Sequence, residues 1–600
     1  MVGWARVQQA LLLLFFLSTT VMAMTLPLVR SRVRLVWHRR DLRLDDNVLY
    51  QNLEGGTKVI SVYIFDEKDY TPRRSTTCAQ PPHLPWHVAN IGPHAARLQI
   101  ESVRDLQTSL RKIGGELLVR KGCPARILSN LVQIMDPTEV VWCEEPGVYE
   151  ANLSRAVWKA IRAINPLVPI QTHFQYTLYH PDDLPLGEQD WTKHVLPKNS
   201  KKNKKSKQKN VQTSKVSPPD RFHNRQDRFV DVSPERWSGM PRIMGEFRKA
   251  AREACSPRPC LPPPTMLSSP DNLPPSGDIP NLMELYEPFL ASSKTQSIMG
   301  LSYDTMEAIH NAAQRRETHP HRSRGGESYA LSHLQDFCQH HASTAARNLA
   351  CVENHQSSRL SHLLALGCLS PRRVVETAQQ HGEGCHWIIS HMTMRDFFLY
   401  ACLAHGSQFY HRDGIPISQK HSSQLVWKDW NDPTVRANWE SWALGETGLP
   451  LVDAGMKELL ETGYCSNRVR QNIASVLTKD LGIDWRAGAE WFQFLLEDHC
   501  VGANWGNWLY FSGVGPDPKQ RHFRTVSQAL KYDPDGSYVK QWLPVLQQIP
   551  GAESYLRPWD YTSPLGWKVP IVQPQSQYTW QDAQKLMEDG FLIHAPPPES

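Results

Sequence analysis

The sequence predicts an α/β N-terminal domain with a doubly wound parallel sheet, followed by an all-α C-terminal domain. Three observations support this. The 600 residues exceed what one hydrophobic core usually supports. Short apolar strands alternate with amphipathic helices between residues 33 and 173. After Gly325, apolar residues recur with helical spacing and strand alternation is scarce.

The α/β prediction depends on five apolar segments of strand length. The candidate strands cover residues 33–37, 58–65, 117–120, 140–143 and 168–173. Two helices are indicated between them, one with an apolar face from Leu98 to Ile113 and one over residues 125–135. Strands separated by helices of this length imply right-handed βαβ units and a parallel sheet. A charged turn at residues 37–47 replaces the GxGxxG motif after the first strand, so an ordinary dinucleotide site is not expected there.

Composition divides the rest of the chain. Residues 1–23 combine a basic start, a short apolar run and a V-x-A site, which is typical of a cleaved targeting peptide; Met22 or Met24 is the alternative start. A lysine-dense run at 198–209 indicates a disordered loop, and a proline-rich stretch at 255–280 indicates a linker over the surface. The predicted divisions are 1–23 targeting peptide, 31–180 α/β domain, 190–240 disordered basic insert, 241–320 linker, 325–545 helical domain and 546–600 short C-terminal tail.

Charge and cysteine content narrow the function classes. The net charge of +6 permits a nucleic-acid partner without requiring one. The 12 cysteines contain no CxxC pair and no Cys/His cluster, which favours reduced thiols over a zinc site or a disulfide framework. The 20 tryptophans are many for this length, and core packing is their default explanation.

One stretch, residues 461–510, carries the strongest chemical signal. Val469, Ile473 and Leu477 follow the period of a helix with one buried face. Asn467, Arg468 and Arg470 stand at its start, where free N–H groups favour anions. A second apolar run ends in Asp498 and a Gly/Asn/Trp-rich turn. This combination predicts a large, flat, polar-edged ligand, with a buried Arg468–Asp498 ion pair as the competing account.

A second polar segment precedes the apolar helix 363–369. Residues 357–361 read SSRLS, and hydroxyls with an arginine before a helix suit a phosphate. The same pattern is a common N-cap, so both interpretations stay open on these residues alone.

Ordered blocks from about residue 33 to about residue 544 resemble the photolyase/cryptochrome family, and the closest branch is cryptochrome DASH. The blocks are WHRRDLRLDDN (37–47), GGE (325–327), SSRLS…LALGCLSPR (357–372), MRDFF (394–398), WALGETGLPLVDAGMKELLETGYCSNRVRQN (442–472), IDWRAGAEWF (483–492), GANWGNWLY (502–510) and YDPDGSYVKQWLP (532–544). Tyr510 and the YDPDG block favour the DASH branch. The resemblance implies a photolyase-like fold whose helical domain holds FAD.

The resemblance also implies which residues contact FAD. Ser357, Ser358 and Ser361 would contact its phosphates, and Asn467, Arg468 and Arg470 would lie along the isoalloxazine and pyrophosphate. Asp498 would accept from the flavin edge and Asn504 would face N5. The full set implied is Ser357, Ser358, Arg359, Leu360, Ser361, Arg395, Phe398, Asn467, Arg468, Arg470, Asp498, Cys500 and Asn504.

Three indoles match the family's electron-transfer chain from the surface to the photoexcited flavin: Trp508, Trp485 and Trp442. Ordinary core packing is the alternative. Replacing Trp485 by Phe is expected to abolish photoreduction while FAD stays bound. The family's antenna, a 5,10-methenyltetrahydrofolate in this branch, is expected at Glu144 or Glu145, which end a strand; the sequence does not choose between them.

The leading functional expectation is light-driven repair of cyclobutane pyrimidine dimers in single-stranded DNA by electron transfer from reduced FAD. His391, Met394 and Tyr510 are the expected substrate contacts. His391 and Met394 stand where repairing members carry Glu and Trp, and Cys500 stands where an Asp is usual. The alternative is a blue-light receptor or nucleic-acid-binding regulator that repairs poorly.

The expected partners and location follow from the same comparison. A monomer without stable membrane association is expected to bind single-stranded or looped DNA, with RNA as an open alternative. The N-terminal segment predicts entry into an organelle, a plastid first, with mitochondrion and nucleus as alternatives.

Overall fold

The computed structural model describes most of both domains. The described residues are 31–72, 88–185, 227–230, 232–294, 298–318, 322–342, 357–415, 426–516, 521–548, 555–560, 567–579, 581–582 and 584. The predicted targeting peptide and the lysine-dense run lie outside them.

The N-terminal domain is built on a five-stranded sheet. Its strands are β1 Val33–His38, β2 Lys58–Phe65, β3 Leu117–Lys121, β4 Glu139–Cys143 and β5 Ile170–His173. They lie in the order β3-β2-β1-β4-β5, and all the pairings are parallel. This confirms the predicted doubly wound sheet, with strand ends within two residues of those expected.

Both faces of the sheet are buried, because successive side chains point to opposite sides. Leu35, Ile60 and Val140 belong to the core under helices α2 (Pro124–Met135) and α3 (Val148–Ile164). Val36 and Val141 belong to a larger core that includes α1 (Pro93–Lys112) and continues into the helical domain. The two domains therefore share one hydrophobic core.

The range 241–320, predicted as a linker, contains helices α4 (Met244–Ala254), α5 (Leu282–Ser293) and α6 (Tyr303–Thr318). Residues 255–280 between α4 and α5 carry no helix or strand. Their backbone bonds to the α/β domain, for example from Leu267 N to Ile113 O (2.7 Å) and from Val119 N to Ser276 O (2.6 Å). The proline-rich stretch is thus an ordered strap over this domain.

The C-terminal domain is helical, as predicted. Its helices are α7 Glu327–Asp336, α8 Ser361–Ala365, α9 Pro371–Gln380, α10 His386–His405, α11 Pro433–Ala443, α12 Pro450–Thr462, α13 Asn467–Ser475, α14 Trp485–Leu495, α15 Val501–Ser512, α16 Thr525–Tyr532 and α17 Ser537–Trp542. Within the described residues, no helix is long and apolar enough to span a bilayer.

The charged turn after β1 joins the two domains. Asp46 is fully buried, and its carboxylate accepts from Arg372 Nη2 (2.7 Å) and Nε (2.9 Å) at the start of α9. Arg43 donates to the backbone oxygen of Gly367 (2.9 Å), and Glu327 accepts from Leu44 N (2.9 Å). The charged side chains of this turn, which stands in place of a GxGxxG motif, therefore bind the helical domain.

Candidate functional site

The site begins where α13 faces the segment between α14 and α15. The guanidinium of Arg470 donates from Nη1 and Nη2 to the two oxygens of Asp498 (3.1 and 3.0 Å) and from Nε to Cys465 O (2.8 Å). Burial opposes the charged form of Asp498, but Arg470 and a hydrogen bond from Ser361 lower its pKa below the ordinary value. Asp498 is therefore ionised, and its ion pair is with Arg470 rather than with Arg468.

Tyr464, which the sequence analysis did not single out, organises the hydroxyl-rich side. The Arg359 guanidinium lies 3.5 Å from the centroid of its ring, and Tyr464 OH donates to Ser357 Oγ (3.2 Å). Arg359 also reaches Ser323 Oγ (3.0 Å) and Glu497 (3.4 Å) from a left-handed backbone conformation with φ of 50°. Sequence reasoning could have found Tyr464 and Glu497 from their position inside or beside the blocks that carried the family resemblance.

The remaining residues of the SSRLS segment occupy different environments. The backbone oxygen of Ser358 accepts from His333 Nε2 (2.9 Å), and Leu360 is buried. Ser361 begins α8 and hydrogen-bonds Asp498. The segment thus brings hydroxyls and Arg359 to the edge of the Arg470–Asp498 pair.

Asn504 lies on α15, which packs unusually close to α10. A Cβ at Gly506 would lie 2.5 Å from Phe398 Cδ1, and one at Gly502 would lie 3.0 Å from Leu399 Cα. These two glycines allow the helices to touch and place Phe398 against the Asn504 turn. Asn504 is 8% exposed and donates from Nδ2 to Ala489 O (3.0 Å).

Arg395 and Cys500 flank this contact. Arg395 donates to the backbone oxygens of Tyr176 and Leu364 (3.3 Å to the latter), which ties α10 to the α/β domain. Cys500 is half-buried and precedes the first residue of α15.

Helix α13 holds two buried polar atoms, one donor and one acceptor, that protein groups do not satisfy. Arg468 stacks on Tyr532 at 4.5 Å and donates to Gln471 Oε1 (2.7 Å), yet its Nε is buried without a hydrogen-bond partner. Asn472 Oδ1 is buried without one as well. Such atoms call for a ligand or water. With the hydroxyls, Arg359 and Asp498 they fit a cofactor that has phosphates and a polar-edged ring; Asn467 is exposed in the first turn.

The three predicted electron-transfer indoles are all buried, but they do not lie in a single line. Trp508 and Trp442 contact each other with ring centroids 6.2 Å apart. Trp485 instead contacts Trp505, at 5.6 Å, and donates from Nε1 to Arg412 O (3.0 Å).

The predicted substrate residues fall into two groups. His391 and Met394 are half-buried on α10, and the His391 ring meets Trp387 edge-on at 5.1 Å. Burial lowers the pKa of His391, so its imidazole is neutral at pH 7. Tyr510 accepts from Arg521 Nη1 (2.7 Å), and the Arg521 guanidinium lies 5.5 Å from its ring.

A cavity opens at the carboxyl end of the sheet, where β1 and β4 lie side by side. Glu145 lines it with Arg39, Arg40, Tyr149 and Glu150, among others. Glu145 binds Arg39 Nε (2.7 Å), whereas its neighbour Glu144 accepts from Trp142 Nε1 (3.1 Å) away from the lining. The geometry therefore favours Glu145 of the two candidates for contact with a ligand.

Comparison with known proteins matches both domains. The family model described as DNA photolyase matches residues 34–219, and the one described as FAD binding domain of DNA photolyase matches residues 387–581. A "Cryptochrome DASH" of Gloeobacter violaceus is 32% identical, with 88% of this chain and 89% of that protein covered. The chain belongs to the photolyase/cryptochrome family.

Two further relatives support this assignment. "Cryptochrome DASH, chloroplastic/mitochondrial" of Ostreococcus tauri is 29% identical over 87% of this chain and 86% of its own. The solved structure of the Synechocystis sp. PCC6803 cryptochrome has a TM-score of 0.69 at 28% identity, covering 91% of this chain and 97% of that one. As a photolyase/cryptochrome family member with DASH relatives, the chain carries a FAD-binding domain that contains α10 to α17.

Proposed function

We propose that this protein repairs cyclobutane pyrimidine dimers in single-stranded DNA by light-driven electron transfer from FAD. The observation that carries the proposal is that the Arg470–Asp498 pair, Asn504 and the buried Trp508 lie on α13, on α15 and in the turn before α15, all within the matched FAD-binding region. A fixed charge pair and an oxidisable indole on the helix that also bears Asn504 are what a photoreducible flavin needs.

Each part of the site has a distinct task. Bound FAD supplies the photoexcited electron donor for dimer splitting. Ser357, Ser361 and Arg359 would bind its phosphates, and Asn504, whose Nδ2 donates to Ala489 O, would accept a hydrogen bond from the flavin N5 with its amide oxygen. Asp498, ionised beside Arg470, accepts a hydrogen bond from the flavin edge. Trp508 would supply an electron when the oxidised flavin is photoexcited.

The lesion would reach the flavin from the side of α10. A dimer must leave the base stack, and unstacking is easiest in single strands. Neutral His391 can exchange hydrogen bonds with the dimer's carbonyl or N–H groups, and Met394 supplies an apolar contact. Tyr510, whose hydroxyl is held by Arg521, offers a ring for stacking a neighbouring base.

One observation favours a second candidate, a blue-light receptor that repairs poorly. His391 stands where repairing members carry a glutamate, and it packs on Trp387 rather than presenting a carboxylate. A receptor would keep the flavin cycle and lack dimer cleavage.

The cavity beside Glu145 is proposed to hold the antenna, 5,10-methenyltetrahydrofolate. Its carboxylates suit the amino group and ring N–H of a pterin, and its aromatic walls suit stacking on the ring. Its place at the carboxyl ends of parallel strands agrees with the general location of ligands in such sheets.

A plastid location is proposed from the N-terminal segment, with the mitochondrion as the alternative. The relative of Ostreococcus tauri bears both organelles in its name. Detection of a fluorescent fusion to residues 1–30 in the nucleus would contradict this.

The repair proposal is tested by illuminating the purified, reduced, FAD-loaded protein with a single-stranded oligonucleotide that contains one dimer. We expect the absorbance of intact pyrimidines to recover under blue light and not in darkness. The same lesion in a duplex is expected to be repaired more slowly. No recovery by a protein whose flavin is bound and reduced would support the receptor instead.

A further inference from the structure

Two free thiols meet where helix α7 ends and helix α10 begins. Cys338 lies in a π-helical turn, Phe337–His341, that follows α7, and Cys385 directly precedes the first residue of α10. The Cys385 thiol donates to the backbone oxygen of Cys338 (3.6 Å), and the Cys338 thiol donates to the Cys385 sulfur. The two sulfur atoms are therefore neighbours.

We propose that Cys338 and Cys385 are a reversible oxidation site, which hydrogen peroxide converts to a disulfide and a dithiol reductant converts back. The cross-link closes the chain over residues 339–384. This loop contains the SSRLS segment, residues 357–361, which carries the proposed phosphate contacts of FAD. The oxidised protein therefore holds FAD more tightly than the reduced protein. That consequence rests on the proposed function, because it requires the FAD phosphates at this segment, whereas the disulfide itself does not.

Contacts on both sides hold the junction between the two cysteines together. Trp387, in the first turn of α10, donates from Nε1 to Ala342 O (3.1 Å), and its ring meets the Phe337 ring edge-on at 6.2 Å. On α7, His333 Nε2 donates to Ser358 O (2.9 Å) inside the SSRLS segment. A disulfide thus fixes a junction that already touches the proposed phosphate-binding residues.

The surroundings of the thiols select a small oxidant. Cys338 is 6% exposed and Cys385 is 1% exposed, so a bulky disulfide such as oxidised glutathione is too large to reach either sulfur. Their sequence neighbours Gln339 and His386 are exposed, so both thiols lie directly beneath the surface. Burial raises the pKa of both, to about 12 for Cys338. Oxidation is therefore slow and needs an oxidant as small as hydrogen peroxide.

The reaction balances with one molecule of peroxide. The Cys385 sulfur loses its proton and attacks one peroxide oxygen, the O–O bond breaks, and water and a sulfenic acid form. The Cys338 sulfur then attacks the sulfenic sulfur, the S–O bond breaks, and a second water leaves with the Cys338 proton. Two thiols and one peroxide become one disulfide and two waters. The dithiol reductant later returns two electrons and two protons and is itself oxidised to a disulfide.

Inert structural thiols are the competing explanation, and Cys402 provides the control for it. Cys402 lies on α10 and is also 1% exposed, but its sulfur pairs with the hydroxyl of Tyr410 (3.6 Å). Cys402→Ser should therefore disturb the core as much as Cys385→Ser without removing a member of the pair.

The test treats the purified, FAD-loaded protein with hydrogen peroxide in the dark and then alkylates the remaining thiols. Mass spectrometry of its peptides should find Cys338 joined to Cys385 in the wild type and in Cys402→Ser, and dithiothreitol should remove the link. Cys385→Ser and Cys338→Ser should not form it. Absence of the link in the wild type, or oxidation of Cys385 to a sulfinic acid instead, would overturn the site.

A second readout follows the flavin. After dilution, the rise in free-flavin fluorescence should be slower by about tenfold in the oxidised wild type than in the reduced one, because the cross-link restricts the 339–384 loop. Dithiothreitol should restore the faster release, and Cys385→Ser should release FAD at one rate before and after peroxide. Equal rates in the cross-linked and reduced wild type would overturn the effect on FAD retention. A protein that forms the link but binds no FAD would contradict the proposed function instead.

Discussion

At the scale of single residues, the Asp498 carboxylate is the group on which the proposed flavin site should depend most. Asp498→Asn leaves the half-buried Arg470 without its counter-charge, which should destabilise the protein by roughly 3 kcal/mol and weaken FAD retention. Urea denaturation and the flavin content of the purified variant measure both effects. Glu461→Gln, which breaks the exposed pair with Arg315, should change stability by less than about 1 kcal/mol. Equal effects of the two substitutions would contradict the role of Asp498.

Glu150 makes the stability of the apoprotein depend on pH. Burial, together with repulsion from Glu145, raises its pKa to about 7, and its Oε2 has no hydrogen-bond partner. The folded state therefore binds more protons than the unfolded state between the ordinary pKa of 4.5 and about 7. This contribution is present below that window and is lost as the pH rises through it.

Glu150→Gln tests this linkage. Relative to the wild type, the variant should become more stable as the pH is raised from about 5 to about 8. Thermal midpoints of both apoproteins at several pH values measure the difference. A difference that stays constant, or shrinks with rising pH, would show that Glu150 titrates normally.

Glu145 and Glu144 are adjacent but should differ in folate binding. Glu145→Gln removes a carboxylate from the cavity wall and should weaken binding of 5,10-methenyltetrahydrofolate by about tenfold or more. Glu144→Gln keeps an oxygen acceptor for Trp142 Nε1 and should leave binding nearly unchanged. Titration of the FAD-loaded protein, followed by folate absorbance, gives both affinities. The reverse order would move the ligand contact to Glu144.

At the scale of elements, the contact between α10 and α15 positions Phe398 and Asn504 of the proposed flavin site. Gly506→Ala would force a Cβ against Phe398 and should destabilise the protein by about 1–3 kcal/mol, with partial loss of FAD. Gly245→Ala on α4 is the matched control, since nothing lies within 4 Å of its new Cβ. The urea midpoints of both variants measure the two changes in stability. A Gly506→Ala protein as stable as the control would show that the helices separate easily.

The helices and strands were also the features that the sequence predicted best. Short apolar runs located all five strands because most of their residues are buried, on both faces in β1, β2 and β4. The helices of 241–320 were missed because proline-rich flanks obscured short apolar faces such as that of Phe247 and Ala250. Arg470 and Asp498 were both singled out, but their pairing was not predicted, because residues 28 positions apart meet only through the packing of α13 against the turn before α15.

At the scale of the whole molecule, the structural role of the charged turn after β1 is visible only in the folded protein. In the sequence, residues 37–47 replace a GxGxxG motif, so they indicated only that an ordinary dinucleotide site is not expected there. In the structure, Asp46, Arg43 and Arg40 each reach the helical domain, Arg40 through His499 O (2.8 Å) beside Asp498. No local pattern encodes these contacts, since their partners are more than 300 positions away.

This junction should make the two domains unfold together. Asp46→Asn leaves Arg372 beside a neutral amide in a fully buried site, which should lower stability by roughly 3–5 kcal/mol. In the FAD-loaded wild type, loss of helical circular dichroism and release of flavin fluorescence are expected at one temperature. In the variant, flavin release should precede loss of the α/β domain, because the helical domain loses its anchor. Glu446→Gln, which breaks the exposed pair with Lys568, is the control and should keep the transitions coincident. Coincident transitions in Asp46→Asn as well would mean that the shared hydrophobic core alone couples the domains.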